Sequence, residues 1–67
     1  MTYAEKLKAL RTQAGLTQKQ LGMAVGYGES SADVNVRCWE RGRNYPPIDK
    51  LRALAKALNV PLDTVIP

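Results

Sequence analysis

Three arginines in the middle of the chain raise the chemical question. Arg37 and Arg41 are four residues apart, and Arg43 follows just beyond Gly42. They belong to the stretch from Asp33 to Asn44, Asp-Val-Asn-Val-Arg-Cys-Trp-Glu-Arg-Gly-Arg-Asn, which reads as one amphipathic helix closing on a glycine. At roughly 100° per residue, Val36 and Trp39 fall on one side of that helix and Arg37 and Arg41 on another. Val36 and Trp39 therefore point inward. Arg37 and Arg41, with Val34 and Cys38 beside them, remain on a surface that suits a polyanion.

Composition removes most other chemistries. The chain has 67 residues, no histidine and a single cysteine. An internal disulfide is excluded, no ligand set for zinc exists, and a reducing, intracellular setting follows. There is no nucleophile paired with a base, no phosphate-binding loop and no metal cluster, so neither an enzyme nor a cofactor nor a small-molecule ligand is expected. Ten Lys and Arg against six Asp and Glu give a net charge of +4, a modest bias toward anionic partners. The apolar runs are too short to span a membrane, and Lys6, Lys8 and Arg11 do not lead into a signal-peptide core. A soluble, cytoplasmic protein is the expectation.

A chain of this size makes one domain, residues 1–67, with a small continuous core. Thr2-Tyr-Ala-Glu5 fits a capping box, so a first helix starts at Tyr3, with Tyr3, Leu7, Leu10 and Ala14 as its apolar stripe and Gly15 as its end. Thr17-Gln-Lys-Gln20 repeats the pattern for a short second helix carrying Leu21, Ala24 and Val25 and ending at Gly26. Tyr27 to Ser31 is a loop. Ser30, with Asp33 three residues on, supplies a third cap, and the third helix runs from about Ser31 to Arg41. Pro46 and Pro47 separate it from a fourth, whose stripe is Ile48, Leu51, Leu54, Ala55 and Leu58, with Asn59 as a left-handed stop. One or two last turns follow Pro61, with Leu62, Val65 and Ile66 apolar.

Leu16-Thr-Gln-Lys-Gln-Leu21, Val25-Gly26, Val36-Arg-Cys-Trp-Glu-Arg-Gly42, Pro46, Leu54-Ala-Lys-Ala-Leu-Asn-Val60 and Leu62-Asp63 occur in that order. This series resembles the phage-repressor-like, Cro/cI-type (Xre) helix-turn-helix family over nearly the whole chain. The resemblance implies an all-α fold, a compact bundle of five short helices containing a helix-turn-helix. One departure stands out: Gly26 to Gly42 exceeds the usual family spacing by about four residues. Anchoring the register at Trp39 and Gly42 places the extra residues in an enlarged turn at Tyr27 to Ser31. Either Tyr27 packs on the core or Glu29 faces the partner.

The resemblance also assigns roles. The third helix would enter the major groove of double-stranded DNA while the second lies across the backbone. By position, Asp33, Val34, Arg37 and Cys38 take the base-facing places. Arg37 suits guanine O6 and N7, and Val34 a thymine methyl. Asp33 has two readings, helix cap or acceptor from cytosine. Cys38 is otherwise a small filler without redox role. Gln18 would touch the backbone or the first base, and Thr17 and Lys19 open a helix whose free amides suit phosphate. Arg41, Arg43 and Asn44 are phosphate clamps or a solvated basic edge; Lys50 and Arg52 are weaker candidates. Trp39 belongs to packing. In the family the arginine and glutamate corresponding to Arg11 and Glu40 form a partly buried bidentate ion pair.

The function implied is sequence-specific DNA binding by a repressor-like transcriptional regulator, as a homodimer on a two-fold operator. Leu62, Val65 and Ile66 either form the dimer surface or close their own core. The chain is a complete small regulator or the DNA-binding part of a longer one. The rival class is a protein-interaction module on the same fold, an antitoxin or bridging coactivator, for which a steep salt dependence of DNA binding is not required.

Overall fold

The first two helices start where the local sequence satisfies its own backbone. In the computed structural model, which describes residues 1–67, Thr2 Oγ accepts from the Glu5 amide at 3.1 Å while Glu5 Oε1 accepts from the Thr2 amide at 2.8 Å, opening α1 at Tyr3–Gln13. Thr17 and Gln20 repeat that exchange at 3.0 and 2.9 Å and open α2, Gln18–Ala24. Both cap residues have extended backbone, which aims the threonine oxygen back at the helix.

The start of α3, Ala32–Glu40, differs. Its cap residue is Ser31 rather than Ser30, with ψ of −8° and no side-chain cap bond. Counting from Ser31, Asp33 stands at the second helical position and not the third, so the expected capping exchange between Ser30 and Asp33 is not made. The Gly28 carbonyl instead accepts from the Ser31 and Ala32 amides at 3.1 and 2.9 Å, and the Asn35 side-chain amide donates to Ser31 O at 2.9 Å. A backbone turn takes the place of the cap.

α4 spans Ile48–Leu58 and α5 Leu62–Val65. α3 closes on Gly42, whose φ of +74° lets its amide reach Trp39 O at 3.2 Å and the Arg43 amide reach Cys38 O at 3.0 Å. Asn59, at φ +58°, closes α4 in the same manner, as its sequence position suggests.

Ten buried side chains form one cluster: Leu7 of α1, Leu21 and Val25 at α2, Val36 and Trp39 of α3, Leu51, Leu54, Ala55 and Leu58 of α4, and Val65 of α5. Tyr3, Leu10 and Leu16 pack against it. Three positions depart from the expected stripes. Ile48 is 89% exposed, and Ala24 and Ala14, at helix C-termini, are also exposed. Val65 is fully buried, whereas Leu62 and Ile66 remain 41% and 48% exposed. Val65 therefore closes its own core and is unavailable to a dimer surface. The Tyr3 hydroxyl donates to Val65 O at 2.6 Å and ties the two ends of the chain together.

α2 and α3 meet backbone to backbone. A Cβ on Gly22 would stand 2.3 Å from the carbonyl oxygen of Ala32, itself fully buried. Only glycine fits this crossing. No helix is long and apolar enough to cross a membrane.

Candidate nucleic-acid interface

α3 divides cleanly between core and solvent. Ala32, Val36 and Trp39 are buried, and Trp39 is 2% exposed. On the opposite side Asp33, Arg37, Arg41, Val34 and Cys38 cover an arc of about 140° at 100° per residue. Val34 is 48% exposed, Arg41 is exposed, and Asp33, Arg37 and Cys38 are partly exposed. The helix thus presents one apolar side chain, one thiol, two guanidinium groups and one carboxylate outward. Arg43 and Asn44 extend that face beyond Gly42, both exposed. Neither Arg41 nor Arg43 has a carboxylate partner within the fold.

Arg37 does. Its Nη2 donates to Asp33 Oδ2 at 3.0 Å, with side chains 43% and 39% exposed. Having lost the cap position, Asp33 faces the arginine one turn on, the spacing at which an acid preceding a base is favoured.

A second network fixes the other end of the helix. Arg11 Nε donates to Glu40 Oε2 at 2.6 Å and Nη2 to Oε1 at 3.1 Å, so the pair is bidentate. Arg11 Nη1 donates to Leu16 O at 2.8 Å, and Gln18 Nε2 donates to Glu40 Oε1 at 3.1 Å. Glu40 is 4% exposed and Arg11 12%. The network joins the end of α1, the link after it, the first residue of α2 and the last turn of α3. Gln18 thereby commits its amide nitrogen to the protein and keeps its carbonyl oxygen free.

The enlarged turn packs rather than dangles. The Tyr27 ring lies 5.9 Å from that of Trp39, and Lys50 Nζ stands over the Tyr27 ring, 4.8 Å from its centroid. Burial, and secondarily Asp49, raises the pKa of Tyr27. Lys50 thus rests on Tyr27, while Arg52 is exposed. Glu29, 74% exposed, pairs with Lys19 at 3.0 Å, so this α2 lysine is shared between turn and solvent. Thr17 is exposed. Its oxygen already accepts from Gln20, leaving the hydroxyl proton to donate.

The fold therefore brings Thr17, Lys19, Gln18, Asp33, Val34, Arg37, Cys38, Arg41, Arg43 and Asn44 onto α2, α3 and the segment following it. Gly22, Asn35 and the Lys19–Glu29 pair were not foreseen. For Gly22 a signal existed: a glycine inside a helix, with no role in ending it, commonly marks a close approach of backbones.

A family model described as helix-turn-helix matches residues 7–65. The HTH-type transcriptional activator BcrR of Enterococcus faecalis is 32% identical over 66 residues, which cover 98% of this chain and 30% of BcrR. The crystal structure of the transcriptional regulator BswR superimposes with a TM-score of 0.84 at 42% identity, over 96% of this chain and 64% of that one. The chain spans less than two thirds of either relative. Helix order, the α2–α3 crossing and these matches agree: the chain belongs to the Cro/cI-type (Xre) helix-turn-helix family.

Proposed function

We propose that residues 1–67 form a single DNA-binding domain that recognises a specific sequence in double-stranded DNA by placing α3 in the major groove. The observation that carries this reading is the outward face of α3, held rigid from behind by Trp39 and by the Arg11–Glu40 bond network. Arg37 is the principal base contact, its fork matching guanine O6 and N7, and Val34 covers a thymine methyl. Cys38 adds a small contact beside them, and Gln18 offers its free carbonyl oxygen. Thr17, Lys19, Arg41, Arg43 and Asn44 hold phosphates on either side and set the register without reading sequence.

Leu62 and Ile66, exposed beside the buried Val65, are the apolar patch through which two copies would pair on a two-fold operator. A domain of this kind acts in the cytoplasm and represses by occupying its operator. BcrR is named an activator, so the sign of regulation turns on where the operator lies.

Selection of bound sites from random duplex DNA tests the reading. The wild-type chain should enrich one motif, and Arg37→Ala should lose preference at one base pair. Neutralising Arg41 or Arg43 should weaken all sequences alike and reduce the salt slope by about 0.9 per phosphate lost. Enrichment of no motif, with a flat salt dependence, would favour the protein-interaction module.

A further inference from the structure

We propose that Asp33 is a specificity-determining residue: its grip on Arg37 keeps that guanidinium from serving as a phosphate anchor and reserves it for guanine. The inference rests on the placement of α3 in the major groove.

Three observations carry it. Asp33 is not the helix cap, since the cap residue is Ser31 and the Gly28 carbonyl meets the leading amides. Its one polar bond is to Arg37, at 3.0 Å, on the outward face. And among the arginines of that face it is only Arg37 that has an acid partner, Arg41 and Arg43 having none.

The physical consequence follows from charge. A free arginine on a long side chain is drawn to phosphate oxygens, which flank every base pair and carry no sequence information. Bonded to Asp33, Arg37 belongs to a nearly neutral unit, and the carboxylate repels phosphates brought close to it. Guanine O6 and N7 are uncharged acceptors, so they suffer this repulsion far less. One N–H of Arg37 is held by Asp33, and the remaining donors of the fork stay available, with their plane restrained. The pair therefore lowers affinity for DNA in general and raises the advantage of a guanine at one position.

An ordinary surface pair on a helix would have the same spacing, and the test separates the two. Binding of the full chain to its selected duplex and to a random duplex is measured across a salt series for the wild type, Asp33→Ala and Asp33→Glu. Melting is followed in parallel. For Asp33→Ala, random-duplex binding should strengthen, its salt slope should steepen by about 0.9 as Arg37 gains a phosphate, and the selected-to-random affinity ratio should fall roughly tenfold. Asp33→Glu, which keeps an acid one turn before Arg37, should restore most of the ratio. An equal change on both duplexes, or none, overturns the proposal, as does a melting shift without change in the ratio. If the wild type itself selects no sequence, the major-groove reading fails and this inference with it.

Discussion

Two carboxylate–guanidinium pairs hold the same helix, one near each end, and they differ chiefly in how much water reaches them. Arg11 and Glu40 are 12% and 4% exposed, and Glu40 accepts three hydrogen bonds, two from Arg11 and one from Gln18. Arg37 and Asp33 are 43% and 39% exposed and share one bond. Buried and fully bonded, a pair becomes a clamp, because loss of one member strands the other charge in a poorly solvated site. Exposed and singly bonded, it orients its arginine while adding little to stability. Glu40→Ala should therefore destabilise the fold by about 3–5 kcal/mol, read as a fall in the urea midpoint. A loss below about 1 kcal/mol would put both pairs in the exposed class and erase the distinction.

The clamp also needs α2 and α3 to cross at the observed distance, which Gly22 permits. Gly22→Ala places a methyl against Ala32 O, a backbone atom that cannot rotate away. The helices must separate, and a loss of about 1–3 kcal/mol is expected, even though alanine is the better helix former. A neutral or stabilising outcome in chemical denaturation would show that α3 can shift without disturbing Glu40.

How much of this was legible depends on how local each cause is. The caps at Thr2 and Thr17 lie within four residues of their partners and were readable. α3 starts one residue beyond where the Ser30–Asp33 spacing predicts, enough to turn Asp33 from cap to partner of Arg37, because adjacent serines compete and a carbonyl at Gly28 decides between them. Periodicity named the inward faces of α3 and α4 but extended the α4 stripe one position too far, to the exposed Ile48. Arg11 and Glu40 are 29 residues apart, and their pairing came from family resemblance alone. Gln18–Glu40 and Lys19–Glu29 required the folded turn.

Tyr3 provides a contact of intermediate burial. Its hydroxyl donates to Val65 O, and desolvation, reinforced by Tyr45, raises its pKa to about 12. The folded value lies above the unfolded one, and the neutral form is favoured in the fold. Its contribution is thus complete below pH 10 and disappears as pH rises from about 10 toward 12. Tyr3→Phe should cost about 0.5–1.5 kcal/mol at neutral pH and flatten the alkaline loss. Urea midpoints of both proteins between pH 8 and about 11 give the comparison as a difference, which cancels every ionisation the two proteins share. Parallel curves would mean that the hydroxyl is solvated and the chain ends are joined by packing alone.

The smallest effect is expected at Asp33. Asp33→Ala gives up one exposed pair and an acid in the first turn of α3, and alanine suits the helix, so the change should be about 0.5 kcal/mol at low salt. At 1 M salt the Debye length falls to about 3 Å, and this remainder should vanish while the Glu40→Ala loss persists. Urea midpoints in low and high salt measure both. A cost at Asp33 that survives high salt would make the pair part of the scaffold, like Arg11 and Glu40. A cost that salt abolishes leaves it a surface contact that steers Arg37 without supporting the fold.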